Sequence, residues 1–291
     1  MKILLIGHSI IDRIAGKKDN TPKPGGLFYS TLGMLSASNA EDNIFAVTSW
    51  NDESVELFNN VYSKINLSLS NQMKVIPEVI LKTSGEGERE EVYKNLSSGL
   101  NLEKIPDWNS FNGILINMIT GFDISLEQLK FIRKNYHGKI YIDIHTLSRG
   151  VDENMKREFR PIPNSDEWLA CVNIIQVNDS ELRTVADANS EYNCAQKILG
   201  FGTEILIVTK GKKGANLYMK LGSSIKLISA EGLNVKSINK IGCGDIFGAV
   251  FFYSYISTND VEHSLARANK AGAIASSIKE LTKFSVIDLN D

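Results

Sequence analysis

Asp245 is the residue of this chain best placed to do chemistry. It follows Gly242-Cys243-Gly244 and precedes a dense apolar run from Ile246 to Ile256. Gly242 to Gly244 reads as a turn, with Asp245 in the first turn of a buried helix. Such a helix start presents unpaired backbone N–H groups and the positive end of the helix dipole. Small residues there let a phosphate come close to those groups. A carboxylate at this point stands beside the phosphate, where it can take a proton from a hydroxyl. A plain helix cap has the same local signature, because Gly-Asp before an apolar run is an ordinary helix start.

Other candidates recur along the chain. Asp12 follows the continuous apolar strand Lys2 to Gly7, and strand-end carboxylates in α/β folds point into the ligand crevice; a turn residue is the alternative. Gly25-Gly26 breaks the chain before a helical pattern that brings Tyr29 and Ser30 close to the break. Asn178-Asp179-Ser180-Glu181 has the spacing of a capping box, which accounts for it without any chemistry. Thr209-Lys210-Gly211-Lys212-Lys213-Gly214 is a glycine turn after a strand, and the β-like segment behind it would suit a simple hairpin. Asp143, His145 and Arg149 fall at or after another strand end, and Asn269 lies in a small-residue helix from Ala266 to Ala275.

These residues need a frame. The chain has 291 residues, 43% hydrophobic and 23% charged, enough for one large α/β domain with a full core. Apolar strands are expected at Lys2–Gly7, Ile44–Thr48, Gly113–Asn117, Lys139–His145, Asn173–Val177 and Glu204–Thr209. Between them lie helical patterns, one opening at Ser125 with Gln128 in the capping-box position. The stretches Lys74–Lys82 and Glu90–Lys94, around the turn-rich Ser84 to Glu88, read as a hairpin that interrupts the alternation. The whole predicts a three-layer α/β/α domain with a mostly parallel sheet.

Composition excludes several functions. A net charge of −2 argues against general nucleic-acid binding. The apolar run after Asp245 is too short to span a bilayer, and Met1 to Gly7 is too short for a signal peptide. Cys171, Cys194 and Cys243 form no close pair and no metal-ligand spacing, so a reducing cytoplasmic location is expected. No G-x-x-x-x-G-K-[ST] occurs and no G-x-G-x-x-G follows the first strand, which removes P-loop and dinucleotide folds.

Gly242-Cys243-Gly244-Asp245-Ile246-Phe247 resembles the G-A-G-D-x-F motif of the ribokinase-like (PfkB-type) carbohydrate kinases, with Cys243 at the alanine position. Gly7 to Asp12, Gly25-Gly26 to Ser30, Asn178 to Glu181 and Thr209 to Gly214 are similar to that family's other motifs and stand in its order. The resemblance implies one ribokinase-like domain over residues 1–291, with a small β-sheet lid from roughly 10–30 and 67–98. It implies ATP and magnesium. Asp245 would be the catalytic base, and the backbone of Gly242, Cys243, Gly244 and Asp245 the anion hole. Asp12, Gly25, Gly26 and Ser30 would bind the sugar. Asn178, Thr209, Gly211, Gly214 and Asn269 would face the nucleotide, with Glu181 and Asn178 ordering magnesium through water.

Two departures stand out. Ser30 replaces the asparagine that contacts the sugar, and Asn239-Lys240 replace the Asp-Thr that precedes the glycines, so a monovalent cation is in doubt. The expected function is transfer of the γ-phosphoryl group of ATP to a hydroxyl of a sugar or sugar-like molecule. A nucleoside kinase of the same fold and a non-catalytic sugar or nucleotide sensor are the alternatives. A small-molecule partner is expected, with no nucleic acid and no membrane. A homodimer is expected through the lid, whose apolar strands would otherwise be exposed.

Overall fold

The computed structural model describes residues 1–15, 21–82 and 90–289. An eight-stranded sheet runs through the middle of the molecule. Its six parallel strands lie in the order Ile205–Thr209, Ile174–Asn178, Lys139–Asp143, Gly113–Asn117, Lys2–Ile6, Asn43–Val47. Beyond Ile205–Thr209 the antiparallel strands Gly214–Leu221 and Ser224–Glu231 complete the sheet. The apolar runs are continuous because both faces are buried. Leu4 and Ile6 enter one hydrophobic cluster and Ile3 and Leu5 the other; Ile140 and Ile142 divide from Tyr141 in the same way. Successive side chains of a strand point to opposite faces, so one run of residues feeds two cores.

Leu126–Asn135, Ser165–Ala170, Asp179–Val185 and Glu191–Gly200 cover the first face. Leu27–Ala37, Val55–Tyr62, Cys243–Thr258 and Val261–Ser277 cover the second. The result is the expected three-layer α/β/α arrangement. Local signals hold at several helix starts. Ser125 and Gln128 make a full capping box, as do Asn178 and Glu181. The Cys243–Thr258 helix is buried along Ile246 to Tyr255, which explains its apolar residues on every side.

A second sheet of four strands stands apart, in the order Lys23–Gly26, Ser9–Ile14, Glu78–Lys82, Glu90–Asn95. Its strands overlap the ranges named above for a lid, and the name is kept for this sheet. Residues 27–30 belong to a helix of the main domain, and Asn71–Gln72 pair with Ser49–Trp50 instead. Only Glu78–Lys82 of the Lys74–Lys82 stretch is strand, and the turn from Ser84 to Glu88 lies outside the described residues.

The lid sheet's apolar side is buried within the chain. Ile10, Val79, Leu81 and Tyr93 bury themselves with Ile119 of the main domain. An unforeseen hairpin, Arg149–Val151 with Arg157–Phe159, also covers the lid strand Glu90–Asn95. The contact is a bridge between Val92 and Lys156, and the Tyr93 N–H donates to the Met155 carbonyl at 2.8 Å. The homodimer expectation therefore loses its argument from exposed apolar strands. Among the described residues no helix is long and apolar enough to cross a membrane.

Candidate active site

The carboxyl ends of the parallel strands converge under the lid. A cavity there is lined by Asp12, Gly26, Tyr29, His145, Gly242 and Asp245, and on its lid side by Val79, Leu81, Glu91 and Arg157. Asp12 and Asp245, more than 200 residues apart in sequence, thus face one space.

Gly242 precedes the buried helix with a φ of 79° and supplies no side-chain cap. A Cβ at this position would stand 2.4 Å from the Tyr29 ring, so both backbone angle and space require glycine. The turn is therefore at Gly242 itself, and Cys243 and Gly244 belong to the first turn of the helix with Asp245. The first N–H groups of an α-helix have no intrahelical partner, and this end opens at the cavity. Cys243 is half-buried, its Sγ 3.7 Å from the Asn239 carbonyl.

Two amides hold the Asp245 end of the cavity. Asn117 Nδ2 donates to Asp245 Oδ1 at 2.6 Å and to Ser30 Oγ at 2.8 Å. Gln176 Nε2 donates to Asp143 Oδ2 at 2.8 Å and to the Gly244 carbonyl at 3.1 Å, while its Oε1 accepts from the Tyr141 hydroxyl at 2.6 Å. The helix start is thereby tied to the central strands. Neither amide was singled out from the sequence. The available signal was a polar residue inside an otherwise apolar strand, Asn117 in Gly113–Asn117 and Gln176 in Ile174–Asn178, where an amide is buried only if bonded.

Burial pushes the Asp143 carboxyl well above its ordinary pKa, and the charges of Glu181 and Asp245 add to the shift. Three carboxyl groups therefore lie within electrostatic reach of one another. Burial holds the His145 imidazole below its usual pKa, against the opposing pull of Asp245 and Glu91. Its φ of 34° places it in the left-handed region. Arg149 stands 3.9 Å from Glu91 and stacks on Phe159.

At the Asp12 end, Gly25 lies across the ladder from Ile10, near the Asp12–Lys23 pair. A Cβ on it would overlap the Asp12 carboxylate at 2.4 Å, so the missing side chain makes room for that group. Gly26 lines the cavity and precedes the Leu27–Ala37 helix. Ser30 differs from its expected place. It is buried beneath Asn117 and does not line the cavity, whereas its neighbour Tyr29 does.

The residues expected to face the nucleotide group separately. Asn178 and Thr209 are register partners at two adjacent strand ends. Both Glu181 oxygens accept from Asn178, one from its N–H and one from its Nδ2. Gly211 (φ 55°) and Gly214 (φ 92°) flank the single turn Gly211–Lys213 that reverses the chain. Gly214 is opposite Glu231, whose carbonyl accepts from Asn269 Nδ2 at 2.7 Å. Asn269 thus ties its helix to the edge of the sheet. Among the described residues no group of three His, Cys, Asp or Glu side chains forms a metal-binding cluster.

Residues 145–284 match the sequence model of the pfkB family carbohydrate kinases. That stretch, just under half of the chain, is similar to the family. Curated relatives include the ATP-dependent ribose-1-phosphate kinase of Halopiger xanaduensis, 31% identical over 108 residues, which are 37% of this chain and 34% of that one. A 5-dehydro-2-deoxygluconokinase of Clostridium botulinum is 27% identical over 110 residues, 34% of this chain and 32% of that one. The matched stretches thus span about a third of these relatives' length. Solved structures extend the likeness of fold along nearly the whole chain. A pyrophosphate-dependent kinase of the ribokinase family superimposes with a TM-score of 0.75 at 14% identity, covering 94% of each chain. Ribokinase of Arabidopsis thaliana, solved with ribose and ATP, does so with a TM-score of 0.73 at 15% identity, covering 97% of this chain and 94% of that one. The fold is ribokinase-like.

Proposed function

We propose that this protein transfers the γ-phosphoryl group of ATP to a hydroxyl of a sugar or sugar-like polyol. One observation carries the reading: Asp245, at an uncapped helix start, shares a lid-covered cavity with Asp12. An anion site, a base and a hydroxyl-binding carboxylate then border one water-poor space. Phosphoryl transfer asks for positioning and charge stabilisation more than for covalent chemistry.

Asp12 accepts hydrogen bonds from acceptor hydroxyls and orients the reacting one toward Asp245. Asp245, held by Asn117 through one carboxylate oxygen, accepts the hydroxyl proton with the other. The free N–H groups at the start of the Cys243–Thr258 helix hold the negative charge of the migrating group. The lid keeps water from competing as acceptor. Asn178, Thr209, Gly211, Gly214 and Asn269 border the nucleotide side. A divalent cation held through water would relieve the charges of Glu181 and Asp245, which both act on Asp143. Magnesium keeps several of its waters, and Glu181 with Asn178 would order them. When bound it supplies neutralisation of the phosphate charge.

The relatives agree with such an acceptor, since one neighbour was solved with ribose and ATP and another with myo-inositol and a pyrophosphate analog. The test is ADP release by the purified protein with ATP and magnesium over sugars, polyols and nucleosides, with the phosphorylated product identified by phosphorus NMR. The expected result is a sugar or polyol phosphate formed in step with ADP. A preference for nucleosides, or binding without any turnover, would overturn the reading.

A further inference from the structure

Glu91 and Arg157 meet on the lid side of the cavity as a buried ion pair. One terminal nitrogen of Arg157 donates to the Glu91 carboxylate. The other donates to the Tyr93 hydroxyl and, at 3.1 Å, to the Ile119 carbonyl. The guanidinium also lies 4.3 Å from the centre of the Tyr93 ring. Its Nε is buried with no partner among the described residues.

Arginine recognises a carboxylate or phosphate through a fork of two parallel N–H groups. Both arms of this fork are already engaged. The two N–H groups that remain, one on Nε and one on the nitrogen bonded to Glu91, form no such parallel fork and suit single neutral oxygens, such as hydroxyls. Charge points the same way. Among the described lining residues the carboxylates of Asp12, Glu91 and Asp245 face one guanidinium. Arg149 is a further cation near Glu91, but it is not among the residues lining the cavity.

We infer that the acceptor is an uncharged polyol, and that the Glu91–Arg157 pair discriminates against sugars already carrying a phosphate or carboxylate. The inference rests on the kinase reading only in taking this cavity as the acceptor site.

Matched acceptors that differ in charge test it: myo-inositol against an inositol monophosphate, ribose against ribose 1-phosphate, glucose against gluconate. The neutral member of a productive pair should show a kcat/KM higher by about tenfold or more, as like-charge repulsion in a buried site predicts. An anionic member that is phosphorylated equally well or better overturns the inference. If no member is phosphorylated, the same pairs are titrated calorimetrically. Tighter binding of the neutral member then keeps the inference and removes the kinase reading, whereas equal or tighter binding of the anionic one, or no binding of any polyol, removes the inference. Glu91→Gln, checked for fold, releases the Arg157 charge and should narrow the discrimination severalfold; an unchanged ratio in the folded variant would also overturn it.

Discussion

Asn117 holds Asp245 at 2.6 Å through the same amide nitrogen that reaches Ser30 at 2.8 Å. A strand end, a helix start and a second helix are pinned together at the oxygen of the expected base. Hydrogen bonds to charged groups contribute about 1.5–3 kcal/mol, so Asn117→Ala should lower kcat by about 10–100-fold and leave the KM for ATP nearly unchanged. Combined with Asp245→Asn it should cost little beyond the single Asp245 change, because the two act as a unit. Steady-state kinetics of both single variants and the double variant check this; additive losses would show that Asn117 acts independently of Asp245.

Asp245 itself separates base from cap. Asparagine caps a helix about as well as aspartate, yet it cannot accept the proton. Asp245→Asn should therefore reduce kcat by about 10²–10⁴ while the melting temperature and nucleotide affinity stay close to wild type. Turnover near wild type in a variant shown to be folded would remove the base assignment.

Glu181 allows a similar separation on the nucleotide side. Glutamine also serves at the third position of a capping box, so Glu181→Gln should retain the bonds to Asn178 and the stability of the Asp179–Val185 helix. It loses the charge that would order magnesium waters. The expected outcome is a higher magnesium concentration for half-maximal activity, by about tenfold, at unchanged melting temperature, measured by magnesium titration beside thermal unfolding. Asn178→Ala, by contrast, should cost about 1 kcal/mol of stability through loss of the cap.

Asp143 predicts a pH dependence of stability. Its carboxyl is pushed up first by burial and then by the charges of Glu181 and Asp245. A group whose pKa is raised on folding stabilises the fold while protonated, and that contribution is lost as pH rises through the folded pKa. Asp143→Asn removes the titration and retains a side-chain oxygen to accept from Gln176. The variant should gain stability relative to wild type as pH is raised above the usual carboxylate range, and the gain should vanish in acid. Melting curves of both proteins across pH decide the point; a difference that stays constant or changes in the opposite direction contradicts the assignment.

Cys243 is the thiol at the helix start proposed as the anion site. Cys171 and Cys194 are buried, and burial raises the pKa of each. Cys243 is only half-buried and stands in the first turn of a helix, a position that favours thiolate. A small alkylating reagent should modify Cys243 at least several-fold faster than the other two, with loss of activity and protection by bound nucleotide. Peptide mapping of a labelling time course reads the order directly.

The sequence by itself determined what depends on neighbours along the chain. Runs such as Lys2–Ile6 and Ile205–Thr209 announced strands buried on both faces, because only two cores explain unbroken apolar stretches. The capping boxes of Ser125 and Asn178 were legible because their partners lie three residues away. Gly242 before an apolar run located the helix that starts at the site. The tertiary structure alone decided which strand ends meet there. Asn117 and Asp245 are 128 residues apart, and no local pattern encodes their bond. Glu91 and Arg157 are 66 residues apart and join only because the Arg149–Phe159 hairpin closes over the lid edge. Ser30 reads as substrate-facing from its spacing after Gly25-Gly26, but the turn of the Leu27–Ala37 helix directs it to Asn117. Spacing along a helix or strand is a property of the local backbone, whereas a side chain's partner is set by the order in which the strands assemble into a sheet.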